Sequence, residues 1–384
     1  MNAYKVLFLS DYFSTWDMGG ASRVLLEQMR GLAGLKDAKV EFELVSGYPG
    51  LAADENLQFP WHRLRYKSVG YLPGLAALLR RRFLAFRPDL VHIHQPLVGA
   101  LALGVLPCGF PRLYHFHSFW GAEKALHAEA QPGLESWACR VKARLEHAVL
   151  ARMPRAVALS EYSRELLRAR FPKMDVRVIP GSIHSVEWHL PASGAEKESP
   201  AFRFIAVRRL EPRMGLDALL QAVADVQGAM PPTLTLVGTG RMEPALRAQA
   251  DEPALRGRVH FAGRVEHHEL LRLLAAHDCM VVPSRALEGF GMAVIESFAA
   301  GLPVLATGVG GLREFARHAE VFHMMEDASP ENIAAGLRWA ALNFSPRAHL
   351  AERARKIAGE FYDTAKTTRQ LHDLYQEILA ERNS

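Results

Sequence analysis

The chain has 384 residues, of which 49% are hydrophobic and 23% charged, with a formal net charge of +5. That is the composition of a soluble globular protein with room for two domains of ordinary size. The longest apolar run, Leu97 to Phe110, is broken by glycines and Pro107 and falls short of a membrane-spanning helix.

In chain order, the start M-N-A-Y-K-V-L-F-L-S turns polar too soon for a signal peptide and predicts a buried strand at Val6–Leu9. A turn with Gly19 and Gly20 then opens a helix from about Ser22 to Leu32. Strands are expected at Val40–Val45, Leu90–His94, Leu113–His117, Ala156–Leu159 and Val176–Ile179. Helices are expected between them at Leu75–Phe86, Leu97–Val105, Ala138–Leu150 and Tyr162–Phe171. The polar stretch P-A-S-G-A-E-K-E-S-P reads as a linker over 188–201. A second alternating series runs through Phe204–Val207, Leu234–Val237, Val259–Ala262, Cys279–Pro283, Val304–Ala306 and Val321–Met324. A continuous helical pattern from Ala348 to Arg382 closes the chain. Strand–helix alternation on this scale predicts an α/β protein of two doubly wound Rossmann-like domains facing a central cleft, residues 1–187 and 202–363. Cys108, Cys139 and Cys279 have neither metal nor redox spacing and fit a reducing, cytoplasmic setting.

The chemistry concentrates in V-V-P-S-R-A-L-E-G-F-G-M-A-V-I-E-S-F-A-A-G-L-P-V-L. A buried strand, a glycine turn and a helix present Glu288 on the turn and Glu296 inside an otherwise apolar helix, where a carboxylate needs a partner. The amides of Gly289, Phe290, Gly291 and Met292 open that helix and suit an anion such as a diphosphate.

This stretch resembles the donor-sugar site of the retaining glycosyltransferases of family 4, which have the GT-B fold. The resemblance implies that Glu288 meets hydroxyls of a donor sugar and Glu296 the ribose of its nucleotide. M-G-G-A-S-R-V resembles the family's N-terminal glycine loop, so Gly19 and Gly20 would approach the donor diphosphate. L-Y-H-F-H-S-F-W-G-A-E resembles the acceptor-side histidine loop, with His117 as the active-site histidine and His115 as the other candidate. V-R-R-L-E-P-R-M-G-L-D resembles the segment that clamps the diphosphate. Arg209 matches its arginine, while Met214 stands where the family has a lysine; Arg213 or Arg208 is the candidate substitute. The turns holding Gly238 and Arg264 follow strands, and Arg264 would lie near the base. In the family the last helix returns to the first domain, here from about 364 to 384.

The implied activity is transfer from a nucleotide diphosphate sugar to a hydroxyl of a glycan, a lipid-linked or a small-molecule acceptor, without a cofactor or metal and without a nucleic-acid partner. No D-x-D triplet occurs. The H-I-H and H-F-H pairs, His92 with His94 and His115 with His117, share strand faces but lack an acidic or cysteine companion, and read as core or cleft residues. A sugar-nucleotide epimerase and a non-catalytic nucleotide-sugar binder are the alternative readings. The helix L-A-A-L-L-R-R-R-F-L-A-F-R, with Arg80, Arg81 and Arg82, could touch an anionic membrane face but reads first as an ordinary covering helix. Trp16, Phe119 and Trp120 are candidates for stacking on an acceptor.

Overall fold

The computed structural model describes residues 3–14, 19–48, 57, 59–65, 71–119, 134–188, 201–228, 231–344 and 347–383. Trp16, Trp120 and residues 189–200 of the polar stretch lie outside them. The chain divides into two compact units, Met1–Ser182 with Thr364–Ser384, and Ile183–Asp363.

The first unit is built on seven parallel strands: β1 (Tyr4–Ser10), β2 (Val40–Tyr48), β3 (Trp61–Arg65), β4 (Leu90–Ile93), β5 (Arg112–Phe116), β6 (Arg155–Ala158) and β7 (Asp175–Val178). Their order is β3-β2-β1-β4-β5-β6-β7. The near-continuous apolar strands are those of a sheet covered on both faces. Leu7, Leu9, Val91, Ile93, Tyr114 and Phe116 pack with α2 (Tyr71–Phe86), α3 (Pro96–Val105), α4 (Leu134–Leu150) and α5 (Glu161–Arg170). The alternate residues Val6, Phe8, Leu90 and Leu113 pack with Leu25 and Met29 of α1 (Gly20–Ala33), and with Leu371, Leu374 and Tyr375 of the C-terminal helix. Strand β3 has no counterpart in the sequence pattern. Its half-exposed W-H-R-L-R lies at the sheet edge beside β2, where polar side chains are tolerated and the apolar signal is weak.

The second unit has β8 (Arg203–Val207), β9 (Thr233–Val237), β10 (Val259–Gly263), β11 (Cys279–Val282), β12 (Val304–Thr307) and β13 (Phe322–Met325), all parallel, in the order β10-β9-β8-β11-β12-β13. Helices α6 (Leu216–Asp225), α7 (Glu243–Ala250), α8 (His267–Ala276) and α9 (Met292–Ala299) follow β8 to β11 in turn, and α10 (Pro330–Asn343) follows β13. The segments Pro212–Met214 and Gly310–His318 are 3-10 helices.

The closing helical stretch is two helices rather than one, α11 (Arg347–Phe361) and α12 (Thr364–Asn383). The break at Tyr362 and Asp363 is held by Ile183 N–H donating to the Tyr362 carbonyl at 3.0 Å and by Ser185 Oγ on Asp363 Oδ2 at 2.8 Å. Helix α12 belongs to the first unit, where Tyr375 packs among the β1 and α1 residues.

Candidate active site

Strand order reverses between β8 and β11 in the second unit, the position at which open α/β sheets bind ligands beyond the strand ends. Arg208 follows β8, and the Pro283–Gly291 turn follows β11. The Arg208 guanidinium forms an ion pair with Glu288 Oε1. Nη2 of Arg208 also donates to Ser284 Oγ at 2.6 Å, and Ser284 Oγ donates to Glu288 Oε1 at 2.8 Å. Nη1 of Arg213 lies 3.7 Å from the same oxygen. The three side chains are nearly closed off from solvent: Arg208 is 6% exposed, Arg213 10% and Glu288 11%. Burial would raise the Glu288 carboxyl, but the Arg208 and Arg213 guanidiniums, with the Ser284 hydroxyl, override it and hold the group below the usual carboxylate range.

The turn is fixed by neighbouring loops. Gly311 N–H donates to the Glu288 carbonyl at 2.8 Å, and a Cβ at Gly311 would lie 2.5 Å from the Gly289 carbonyl oxygen. The Arg285 amide donates to the Arg213 carbonyl at 2.8 Å, and Thr307 Oγ1 donates to the Ser284 carbonyl at 2.6 Å. Gly238 lies at φ +129, and a Cβ there would sit 2.0 Å from the Arg208 carbonyl oxygen. That glycine admits the β8 loop itself.

The remaining second-unit candidates fall as follows. Arg209 is exposed, one residue beyond the buried ion pair. Met214 is buried, with Sδ 3.0 Å from Arg208 Nη2. Phe290 is buried against Phe315, 5.4 Å between ring centroids, and Tyr362, so its ring serves the core and only its backbone can meet a ligand. Gly291 precedes α9 and Met292 opens it, and Glu296 is buried within it. Arg264 is exposed just past β10. The arginine that meets Glu288 is therefore Arg208. Residue type alone does not separate Arg208 from Arg209, since both lie past the end of β8 at Val207.

In the first unit, Gly19 precedes α1 and Gly20 opens it, and a Cβ at either would meet nothing within 4 Å. His92, His94, His115 and His117 gather on the α1 and α12 face of the sheet. Nδ1 of His92 lies 2.6 Å from the Tyr375 hydroxyl, and Nδ1 of His94 lies 3.2 Å from His117 Nε2. Nδ1 of His115 lies 3.3 Å from Gln28 Nε2. His115 is fully buried, whereas His117 is partly exposed, so of the two only His117 can meet a ligand without rearrangement. Burial pushes all four rings down, His92 to about 3 and His117 to about 4. Sequence reasoning did not single out Asp11. Its buried carboxylate accepts from the α3 amides of Leu97 (3.2 Å) and Val98 (2.5 Å), and burial, against those bonds, raises it to about 7.

Two family models match the chain in tandem: "Glycosyltransferase Family 4" over residues 18–185 and "Glycosyl transferases group 1" over residues 192–357. A glycosyltransferase of Methanocaldococcus jannaschii, itself uncharacterized, is 27% identical over 220 residues, which cover 54% of this chain and 56% of that protein. The match spans about half the length of the first curated relatives. Among solved structures, sucrose-phosphate synthase of Thermosynechococcus elongatus superimposes with a TM-score of 0.80 at 18% identity, over 98% of this chain and 100% of that one. Anabaena HepE in complex with UDP-glucose superimposes with a TM-score of 0.76 at 20% identity, over 97% of this chain and 100% of that one. At these identities the likeness establishes the fold, two parallel-sheet Rossmann-like domains of the GT-B type.

Proposed function

We propose that this chain, which belongs to glycosyltransferase family 4, transfers a sugar from a nucleotide diphosphate sugar to an acceptor hydroxyl, with retention of configuration and without a metal on the diphosphate. The observation that carries the reading is the buried Glu288, kept ionised by two arginines at the strand-order reversal of the second unit. The contacts described above all fall on Oε1. The second oxygen, Oε2, is the acceptor assigned to a hydroxyl of the donor sugar.

Arg208 supplies the cation for which Met214 leaves no lysine. Its guanidinium touches the Met214 sulfur while gripping Glu288. Arg209, exposed beside it, is assigned to the diphosphate, where charge builds as the sugar–phosphate bond breaks. The turn amides from Gly289 to Gly291, the first amides of α9 and the buried Glu296 complete the donor side, the last on the ribose. Gly19 and Gly20 are assigned to the diphosphate and His117 to the reacting sugar on the strength of the family resemblance. UDP-glucose in the HepE complex makes a uridine nucleotide the first donor to try.

The acceptor is a glycan, a lipid-linked sugar or a small molecule. Among the described residues no helix is long and apolar enough to cross a membrane. A peripheral contact would rest on Arg80 and Arg81, which are exposed. Arg82 is withdrawn from that role, because its guanidinium grips Glu43 at 2.6–3.0 Å.

The test is the thermal midpoint against uridine, guanosine, adenosine and thymidine diphosphate sugars, for the wild type and Glu296→Ala. One nucleotide class should raise the midpoint of the wild type alone. At a hundredfold excess over its dissociation constant it stabilises by about 2.7 kcal/mol. No shift from any donor in the folded wild type would overturn the reading.

A further inference from the structure

The three buried histidines of the first unit form a site that the transfer reaction does not use. His92 and His115 are fully buried and His94 is 2% exposed. One ring nitrogen of each lies within 4.8 Å of those of the other two. The Nδ1 atoms face Tyr375, His117 and Gln28. The three Nε2 atoms are buried and have no hydrogen-bond partner among the described residues. Three orphaned ring nitrogens in one pocket are unusual, because buried polar atoms nearly always find partners. Gln28 Oε1, beside His115, is orphaned as well.

We infer that His92, His94 and His115 are the protein ligands of a divalent zinc ion bound through their Nε2 atoms. Neutral imidazoles without carboxylate suit zinc, and cobalt as its spectroscopic substitute, rather than calcium or magnesium. Burial keeps the rings in the neutral, ligating form. The outer contacts are those a bound histidine needs, since coordination at Nε2 leaves Nδ1–H to donate. His92 donates to the Tyr375 oxygen and His94 to His117 Nε2. His115 donates to Gln28 once that amide is turned to present Oε1, which also gives the orphaned oxygen a partner. Tetrahedral zinc with nitrogens at 2.0–2.1 Å places them about 3.3 Å apart, so rings whose nitrogens are spread over 4.8 Å must draw together on the ion. His94 and His115, stacked at 4.7 Å and 1°, turn from parallel to convergent as the metal enters. The fourth position is left to water or hydroxide. Because the ligands lie on β4, just beyond it and on β5, with Gln28 on α1 and Tyr375 on α12, the ion would tie both covering helices to the sheet.

The experiment uses the full chain, stripped with chelator and titrated with Co2+ and then Zn2+. One equivalent of Co2+ should give a visible ligand-field band that Zn2+ displaces, and saturating Zn2+ should raise the thermal midpoint by about 5 °C. His94→Gln and His115→Gln should abolish both signals, and His62→Gln should keep them. X-ray absorption of the zinc-loaded wild type, which needs no variant to fold, should count three imidazole ligands. Absence of band and shift at millimolar metal, signals that survive both substitutions, or two imidazoles or fewer would overturn the site. Glycosyl transfer plays no part in these readouts.

Discussion

Replacing Arg208 by methionine keeps most of its volume and removes its charge. The cost follows from burial: Arg208 and Glu288 side chains are 6% and 11% exposed, and removing one member of a buried pair costs about 3–5 kcal/mol. Ser284, and Arg213 at 3.7 Å, stay on the carboxylate and place the loss near the lower end, about 3 kcal/mol. Both residues lie in Ile183–Asp363, so one calorimetric transition should move, by about 6–12 °C for a unit of this size. The double variant Arg208→Met/Glu288→Gln removes the stranded charge and should recover about 2 kcal/mol relative to the sum of the single changes. The sign with pH is fixed. The folded-state pKa of Glu288 is lowered, so the pair's contribution is fully present above the ordinary carboxylate range and is lost as pH falls through the lowered value. The gap between wild type and Arg208→Met should therefore narrow in acid. A loss under about 0.5 kcal/mol, or strict additivity in the cycle, would put the pair in the exposed class and refute the reasoning.

Four further outcomes are expected. The metal-free protein should lose stability as pH falls below about 6.5, because the unfolded chain takes up protons that buried His92 (about 3) and His117 (about 4) refuse until far lower pH. His92→Gln should reduce that slope by about 1.4 kcal/mol per pH unit in urea titrations, and an unchanged slope would show that His92 is already charged. Asp11, raised to about 7, works in the opposite sense, so Asp11→Asn should gain relative to wild type from pH 5 to pH 8. A Cβ at Gly31 would lie 1.9 Å from Thr368 Oγ1 and 2.8 Å from Thr364 Cγ2, so Gly31→Ala should push α12 off α1 and cost about 2 kcal/mol, with partial recovery in Gly31→Ala/Thr368→Ala. Equal stability of Gly31→Ala and wild type would mean that the helices adjust freely. Binding to anionic vesicles, if the chain touches membranes, should fall in Arg80→Glu/Arg81→Glu and with salt, whereas salt-insensitive binding would assign it to another surface.

Sequence by itself determined the fold class, because strand and helix periods alternate in two series and the apolar strands demand cover on both faces. Glu288 and Glu296 were legible for a related reason, since carboxylates stand out in an apolar turn and helix. Edge strand β3 was not legible, because half its side chains face water. The break before α12 was not either, since Tyr362 and Asp363 are held by Ile183 and Ser185, far back in the chain. Tertiary structure alone decided which arginine meets Glu288: the direction of a side chain leaving β8 depends on the β11 turn packed beside it, not on its neighbours in sequence. The same holds for the histidines. H-I-H and H-F-H are two unremarkable strand pairs until β4 and β5 lie side by side under α1 and α12, and only that packing removes the water that would have satisfied their ring nitrogens.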